Sequence, residues 1–387
     1  ALLLAMKYVL VVPDGAADYP VKELGGRTPL EVARTPHLDS LATRGRCGLL
    51  ETIPPGFSSG SAEANLSILG YDPRKYFHGR GVLEAAALGI KLGPRDVALR
   101  CNTLCLHQGR ILSHSAGHIT SEESARLIET VNRSLGNEEI VFYPGFTYRH
   151  ILLLKERWSD QVSCVPPHDY VGQEVEKLLV KPISSEGEAT ARLLNELIRK
   201  SWPILENHPV NVRRREKGQL PANSIWPWSP GRRPRMESFQ SRFGLKGAVV
   251  AAVDLVKGLG VYCGLKVIPV AGATGWYDTN YEGKARACLE ALEKYDFVYV
   301  HVEAPDEAGH EGKAGLKVRC LEDFDSRLLQ ILLSGIAGCE VAVAVLPDHA
   351  TPVSVRGHTP EPVPFVICQP GLTPDQVKEF SEKACQS

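Results

Sequence analysis

The sequence predicts an open α/β fold: a mostly parallel sheet with helices on both faces, carrying an inserted α+β domain. Three observations predict it. Apolar runs of strand length alternate with helical patterns, as expected of parallel strands buried on both faces. Several of these runs end in Asp or Asp-His, and open α/β sheets bind ligands at the carboxyl ends of their strands. The middle of the chain changes character, with shorter, more alternating strands and a Pro, Trp and Arg-rich passage over 203–234. At 387 residues the chain is about twice the usual domain size, which leaves room for both parts.

In chain order, residues 8–12 form the first buried strand, followed by helical patterns over 35–44 and 61–69. The insertion is expected over 93–242, leaving 1–92 and 243–387 as a discontinuous core domain. Within it, 97–106 and 150–155 read as strands, and 121–135 and 188–201 as helices. The core resumes with 248–253, readable as strand or helix, and a strand over 267–270. A helix over 285–294, a strand over 297–302, a helix over 316–333 and a strand over 341–346 complete the alternation.

Composition excludes several classes. Hydrophobic residues make up 43% and charged residues 23%, the balance of an ordinary globular protein. Lys+Arg is 44 against Asp+Glu 45, a net charge of −1, which argues against a general nucleic-acid or polyanion binder. The 10 cysteines are scattered and none forms Cys-x-x-Cys, so they read as reduced thiols in a cytoplasmic protein. Residues 1–12 are apolar but contain Lys7, are too short to span a bilayer and lack a basic leader region, so no membrane association is expected. Met6 reads as the natural start, with 1–5 an upstream extension or tag.

The chemistry gathers at strand ends. Residues 9–12 run into Pro13-Asp14-Gly15, residues 298–302 into Glu303-Ala304-Pro305-Asp306, and residues 341–346 into Pro347-Asp348-His349. One Asp after a strand is usually a helix cap or turn residue. Three such ends, one with His attached, point instead to a shared crevice. Asp306 and His310 stand at i and i+4 and so share one face of a helical turn, and His358 follows ten residues after Asp348-His349. Mixed Asp/His ligation suits manganese or zinc better than magnesium. There are enough ligands for two ions, the arrangement that clamps both oxygens of an in-line phosphoryl displacement.

The nucleophile candidate is Ser61, where a Gly/Ser-rich loop over 54–60 opens a helix. A helix start offers free N–H groups and the positive end of the dipole to a phosphate. On local sequence alone, an N-cap role for Ser61 is the better reading. The run Gly258-Leu259-Gly260-Val261-Tyr262-Cys263-Gly264 departs from the dinucleotide fingerprint and follows a helix, so it reads as a helix stop. No GxxxxGK[ST] loop is present, which weakens an ordinary ATP-dependent kinase. The arginines at 213–215 and 232–235 read as solvated surface, and Trp202, Trp226 and Trp228 as packing of the inserted domain.

Taken together, these motifs resemble the cofactor-independent phosphoglycerate mutases of the archaeal type, members of the alkaline phosphatase superfamily. The matching segments include Val11-Val12-Pro13-Asp14-Gly15, Gly60-Ser61-Ala62-Glu63-Ala64-Asn65-Leu66, Tyr148-Arg149-His150, Pro166-Pro167-His168-Asp169, Gly272-Ala273-Thr274-Gly275 and Asp348-His349. The resemblance covers nearly the whole chain. It implies an alkaline-phosphatase-like core and a phosphoglycerate mutase, an isomerase that interconverts 3-phosphoglycerate and 2-phosphoglycerate at a two-metal site without bisphosphoglycerate.

The same resemblance implies roles. Ser61 looks like the serine transiently phosphorylated. Asp14, Ser61, Asp348 and His349 look like the ligands of one metal, and Asp306, His310 and His358 those of the other. Manganese is the expected ion, with zinc or magnesium as alternatives. Arg149 and His168 look like substrate contacts, and His150 or Asp169 like the proton shuttle; Lys257 or Lys284 is the candidate for holding phosphate from the core. The implied partner is a small phosphorylated substrate, and the oligomeric state is left open.

Two departures stand out. Trp226-Pro227-Trp228-Ser229-Pro230-Gly231 replaces the family's usual Trp-x-Trp-Gly run. The segment Glu303-Ala304-Pro305-Asp306-Glu307-Ala308-Gly309-His310 looks closer to a bacterial branch labelled proposed homoserine kinase, which shares the metal site. A homoserine kinase or other small-alcohol phosphotransferase is therefore the alternative, then a phosphate-ester hydrolase. A non-catalytic protein with a degenerate site is the reading from a different class.

Overall fold

The computed structural model describes residues 5–57, 59–76 and 79–386. The chain forms two compact units, a core unit of Ala1–Phe77 with Met236–Ser387 and an inserted unit of His78–Arg235. The sequence pattern alone places the breaks at 92/93 and 242/243. Packing explains the difference. The helix Arg80–Ala87 lies so close to the first long strand of the inserted unit that a Cβ at Gly81 would come within 2.8 Å of the Arg100 amide nitrogen. The helix Phe239–Phe243 instead belongs to the core, where Phe239 stacks on Phe297 at 4.5 Å.

The core unit contributes β1 (Lys7–Pro13) and β2 (Arg46–Leu50) before the insertion. The inserted unit holds β3 (Val97–His107), β4 (Arg110–Ser113), β5 (Ile140–Phe146), β6 (Arg149–Leu154), β7 (Val162–Ser163), β8 (Lys181–Pro182) and β9 (Ser224–Arg232). The core resumes with β10 (Gly247–Val250), β11 (Lys266–Val267), β12 (Phe297–Val302), β13 (Val341–Val345) and β14 (Val363–Cys368).

The core sheet has seven strands in the order β11-β10-β12-β1-β13-β14-β2. Its first five strands pair in parallel, whereas β14 runs antiparallel to both β13 and β2. The parallel strands are the apolar runs read from sequence. β12 is buried at every position, as a strand covered on both faces must be. The stretch 248–253 is resolved as strand at its start, whereas 267–270 supplies only Val267 to the ladder. Side chains such as Val9, Val11, Val298, Val300, Val343 and Val345 meet Phe324, Leu328 and Leu332 in one hydrophobic core. Each fully buried aliphatic side chain contributes roughly 1.5–3 kcal/mol.

The long helical pattern at 316–333 is resolved as Ala314–Asp323, a π-helical stretch Phe324–Leu329 and Gln330–Ile336. The π stretch carries the buried Asp325, whose carboxylate accepts from the amides of His37 (3.1 Å) and Leu38 (2.8 Å). It thereby caps the helix Pro36–Arg44, whose own Thr35 makes no side-chain cap bond.

The inserted unit is an α+β sandwich. Its main sheet runs β4-β3-β6-β5 with β9 also paired to β3, and the pairings are antiparallel. The helices Ser121–Leu135 and Glu188–Glu206 supply Ile128 and Leu194 to a separate core with Leu99, Leu152 and Trp226. Among the described residues no helix is long and apolar enough to cross a membrane.

Candidate active site

Three neighbouring strands, β12, β1 and β13, deliver their carboxyl ends to one place. The register pairs Pro13 with Val302 and Val11 with Val345, so Asp14, Glu303 and the loop carrying Asp348 leave the sheet side by side. Gly15 makes the first turn possible. Its φ of +64° is a left-handed conformation, and a Cβ there would lie 2.4 Å from Thr351 Oγ1 and 2.7 Å from Asp306 Oδ1. Its amide donates to Asp348 Oδ1 at 3.1 Å.

Both sets of residues that the sequence assigned to metals come together. In one, His349 Nε2 lies 3.3 Å from Asp14 Oδ1, 3.4 Å from Asp348 Oδ2 and 3.2 Å from Ser61 Oγ. In the other, Asp306 lies 3.2 Å from His310 Nε2 and 3.1 Å from His358 Nε2, with the two imidazole nitrogens 3.0 Å apart. The His349 and His358 rings stack at 3.7 Å and join the two sets. Ser61 opens the helix Ser61–Ile68, but the cap position is held by Gly60, and Ser61 is the first helical residue. The N-cap role favoured by the local sequence is therefore not the one Ser61 plays.

The imidazoles are oriented from behind. His310 Nδ1 faces Arg356 O at 3.1 Å, His349 Nδ1 faces Ala350 O at 3.2 Å, and His358 Nδ1 faces Ser59 O at 2.8 Å. A backbone carbonyl can only accept, so each Nδ1 carries a proton and each Nε2 is turned inward toward the carboxylates. Lone pairs aimed at carboxylates repel unless a proton or a cation sits between them. Burial and the charge of Asp348 push the Asp14 carboxyl well above the usual carboxylate range, and burial with Asp306 pushes Glu303 up to about 8. Burial also works against Asp306, but hydrogen bonds from His310 and His358 outweigh it and hold that carboxyl well below its ordinary value. Asp14 Oδ1, Glu303 Oε2 and His301 Nδ1 are buried without a hydrogen-bond partner. This donor set fits divalent cations: oxygen and imidazole ligands, oriented lone pairs and buried negative charge in need of a counter-charge.

Sequence reasoning missed several groups here. His301, on β12, places Nε2 2.9 Å from Asp14 Oδ2. Ligand atoms of Asp14, His301 and Asp348 lie within 4.8 Å of one another, as do those of Asp306, His349 and His358 and those of Asp14, Glu303 and Asp306. The available signal was an imidazole inside an otherwise apolar strand. Asn65 donates to Asp348 Oδ2 at 3.0 Å and to Ser61 O at 2.7 Å, and its own Oδ1 accepts from the Tyr299 hydroxyl. Thr351 Oγ1 bonds Asp306 and lies 3.2 Å from His349 Nδ1.

The two lysines are held by other partners. Lys284 is fully buried and donates Nζ to His301 O at 3.0 Å, and burial lowers its pKa to about 8. It ties the helix Tyr281–Leu292 to β12, and its ammonium is not displayed to solvent as a phosphate contact. Lys257 is partly exposed and lies 3.6 Å from Asp254.

In the inserted unit, β6 carries the exposed Arg149, which packs its guanidinium 5.2 Å from the Tyr148 ring and donates to the Tyr148 hydroxyl at 3.2 Å. Among the described residues it has no carboxylate in ion-pair range. His150 points the other way, into the core. Its Nδ1 accepts from the Gly145 amide at 3.0 Å, its Nε2 meets Ser124 Oγ at 2.6 Å, and burial lowers its pKa to about 3. With both nitrogens engaged, His150 has none free for a proton shuttle. His168 and Asp169 are exposed, 3.6 Å apart. His168 packs edge-on to Trp228, under which the buried Arg100 lies at 4.4 Å. Arg100 Nε is 3.3 Å from Glu84 without hydrogen-bond alignment. Burial depresses the Arg100 pKa against the pull of Glu84, and neighbouring Arg80 and Arg149 depress it further.

Residues 42–211 match the family model described as 2,3-bisphosphoglycerate-independent phosphoglycerate mutase. A protein of that name from Methanosarcina barkeri is 49% identical over 384 residues, 98% of this chain and 95% of that protein. The structure of PH0037 protein from Pyrococcus horikoshii superposes with a TM-score of 0.85 at 34% identity, covering 99% of this chain and 92% of the other. The cofactor-independent phosphoglycerate mutase from Thermoplasma acidophilum superposes with a TM-score of 0.70 at 30% identity, covering 99% and 95%. On near full-length identity of this order, the chain belongs to the 2,3-bisphosphoglycerate-independent phosphoglycerate mutase family.

Proposed function

We propose that this enzyme interconverts 3-phosphoglycerate and 2-phosphoglycerate through a phosphoserine at Ser61. The observation that carries the proposal is the Ser61 hydroxyl, free of any capping duty and 3.2 Å from His349, beside a buried cluster of carboxylates and inward-facing imidazoles.

Asp14, Ser61, Asp348 and His349 would hold one divalent cation, and Asp306, His310 and His358 a second; manganese suits this donor set, with zinc or magnesium as alternatives. Such ions would lower the pKa of the serine hydroxyl and neutralise charge on the transferring phosphoryl group. Ser61 Oγ, deprotonated at the start of the cycle and regenerated in that form at its end, attacks phosphorus, and the bond from phosphorus to the substrate's 3-oxygen breaks. That oxygen takes a proton and leaves as the hydroxyl of glycerate. The 2-hydroxyl then gives up a proton and attacks the phosphoserine, whose Oγ–P bond breaks. One proton is delivered and one removed, so a single acid–base group serves both halves. The closed hydrogen bonds of His150 leave the exposed His168–Asp169 pair as that group. Arg149 holds the carboxylate through its planar fork. The nearby positive charge of Arg80 and Arg100 favours an anionic substrate. No bisphosphoglycerate is required, because the phosphoryl group is stored on the protein. The scattered, free cysteines support a cytoplasmic enzyme.

The segment from Glu303 to His310 favours one second reading, phosphorylation of homoserine by ATP on the same core. Purified protein with manganese distinguishes them. Conversion of 3-phosphoglycerate without turnover of ATP and homoserine supports the mutase, and the reverse result supports the kinase.

A further inference from the structure

The loops that carry the candidate metal ligands are pinned together by a buried ion pair that touches no ligand itself. Lys317, on the helix Ala314–Asp323, and Asp18 have no side-chain exposure, with Nζ and Oδ2 2.9 Å apart. Lys317 spends its other two protons on Ala17 O and Thr351 O, each at 3.0 Å. Asp18 accepts in addition from the amides of Tyr19 at 2.7 Å and Val353 at 3.1 Å. Ala17 and Asp18 follow Asp14 out of β1, whereas Thr351 and Val353 follow Asp348-His349 out of β13. The pair therefore bridges two ligand-bearing loops. Thr351 carries the linkage to a third, because its hydroxyl bonds Asp306. The contact is close: a Cβ at Gly309, on the helix that presents Asp306 and His310, would lie 2.3 Å from Thr351 O.

We propose that Lys317 and Asp18 are positioning residues that set the spacing of the two metal half-sites. A buried lysine with all three protons committed is a rigid spacer, and each of its acceptors sits within four residues of a candidate ligand. Hydrophobic side chains would stabilise the same interior at least as well. The pair gains a purpose if it fixes the register of loops whose carboxylates otherwise repel one another. Metal affinity, more than stability, is then the property that depends on it. The inference rests on the metal reading above.

The test compares manganese binding by isothermal titration to the wild-type chain and to the double variant Lys317→Met with Asp18→Asn. Removing both charges avoids the uncompensated buried charge that either single change would leave. The asparagine oxygen still accepts from Tyr19 and Val353. The double variant is expected to melt below the wild type when metal-free, because Ala17 O and Thr351 O lose their donor, yet to remain folded and to bind manganese at least tenfold more weakly. A weakening of less than tenfold overturns the proposal, since a merely structural pair would shift melting and leave the affinity of the folded protein alone. Should the double variant fail to fold, Asp18→Glu, which keeps both charges and alters only their spacing, gives the comparison, with a fivefold weakening or more as support and any smaller change as refutation. A wild-type chain that takes up neither manganese nor zinc overturns the metal reading and the proposal together.

Discussion

Ser61 Oγ stands 3.2 Å from His349 Nε2, and nothing in the local fold requires a hydroxyl there, since Gly60 holds the helix cap. The serine is a guest of the site more than a part of the scaffold. Ser61→Ala is therefore expected to abolish mutase activity while changing stability by less than about 1 kcal/mol, the ordinary scale for a substitution without a packing or capping role. Thermal unfolding and a coupled assay on the same preparation check this. Residual wild-type turnover would end the covalent mechanism.

Gly15 offers a sharper test of the crowded strand ends. A methyl group at Gly15 meets Thr351 Oγ1 and Asp306 Oδ1 well inside contact distance, on a backbone with φ of +64°. Gly15→Ala should lose manganese binding and at least a hundredfold in kcat/KM. Metal content by atomic absorption reads the first effect, and full occupancy in the variant would contradict the described geometry.

Arg149 has no carboxylate partner among the described residues, so its replacement costs the fold little. Arg149→Lys should lower kcat/KM for 3-phosphoglycerate by a hundredfold or more, taking loss of a charge-assisted contact as about 3 kcal/mol. Metal content should be unchanged. Full activity in this variant would move carboxylate recognition elsewhere on the inserted unit.

His150 predicts a pH dependence of stability. Burial lowers its pKa from 6.5 to about 3, so below 6.5 the unfolded chain takes up a proton that the native chain refuses. Stability from this group is full above pH 6.5 and falls as pH drops toward 3, by up to about 1.4 kcal/mol per pH unit. His150→Gln should flatten the decline of urea midpoints between pH 6.5 and 4, followed by tryptophan fluorescence from the inserted unit. An unchanged slope would mean that His150 is accessible to protons in the native state.

Much of this was legible in the sequence, for reasons visible in particular elements. β12 is buried at every position and β1 and β13 at most of theirs, so they read as apolar runs; Asp14 follows β1 directly, and Asp306 and Asp348 stand within four residues of the ends of β12 and β13. β2 was not legible because it is short and mostly exposed, with no periodicity to mark it. His301 was hidden in the apolar strand that made β12 easy to find. Lys284 and Lys317 sit on helices where a lysine ordinarily faces water, and only tertiary packing shows that their ammonium groups are spent on buried carbonyls. His150 failed in the opposite direction. Its neighbour Arg149 is exposed, and strand alternation turns the next side chain inward.

The central claim is that phosphate passes through Ser61. Acid quenching of the manganese-loaded enzyme during turnover of 3-phosphoglycerate, followed by peptide mass spectrometry, measures it directly. The account predicts phosphate on Ser61 in the wild type, absent from Ser61→Ala and absent without substrate. Active enzyme whose Ser61 peptide carries no phosphate under any quench time would contradict it.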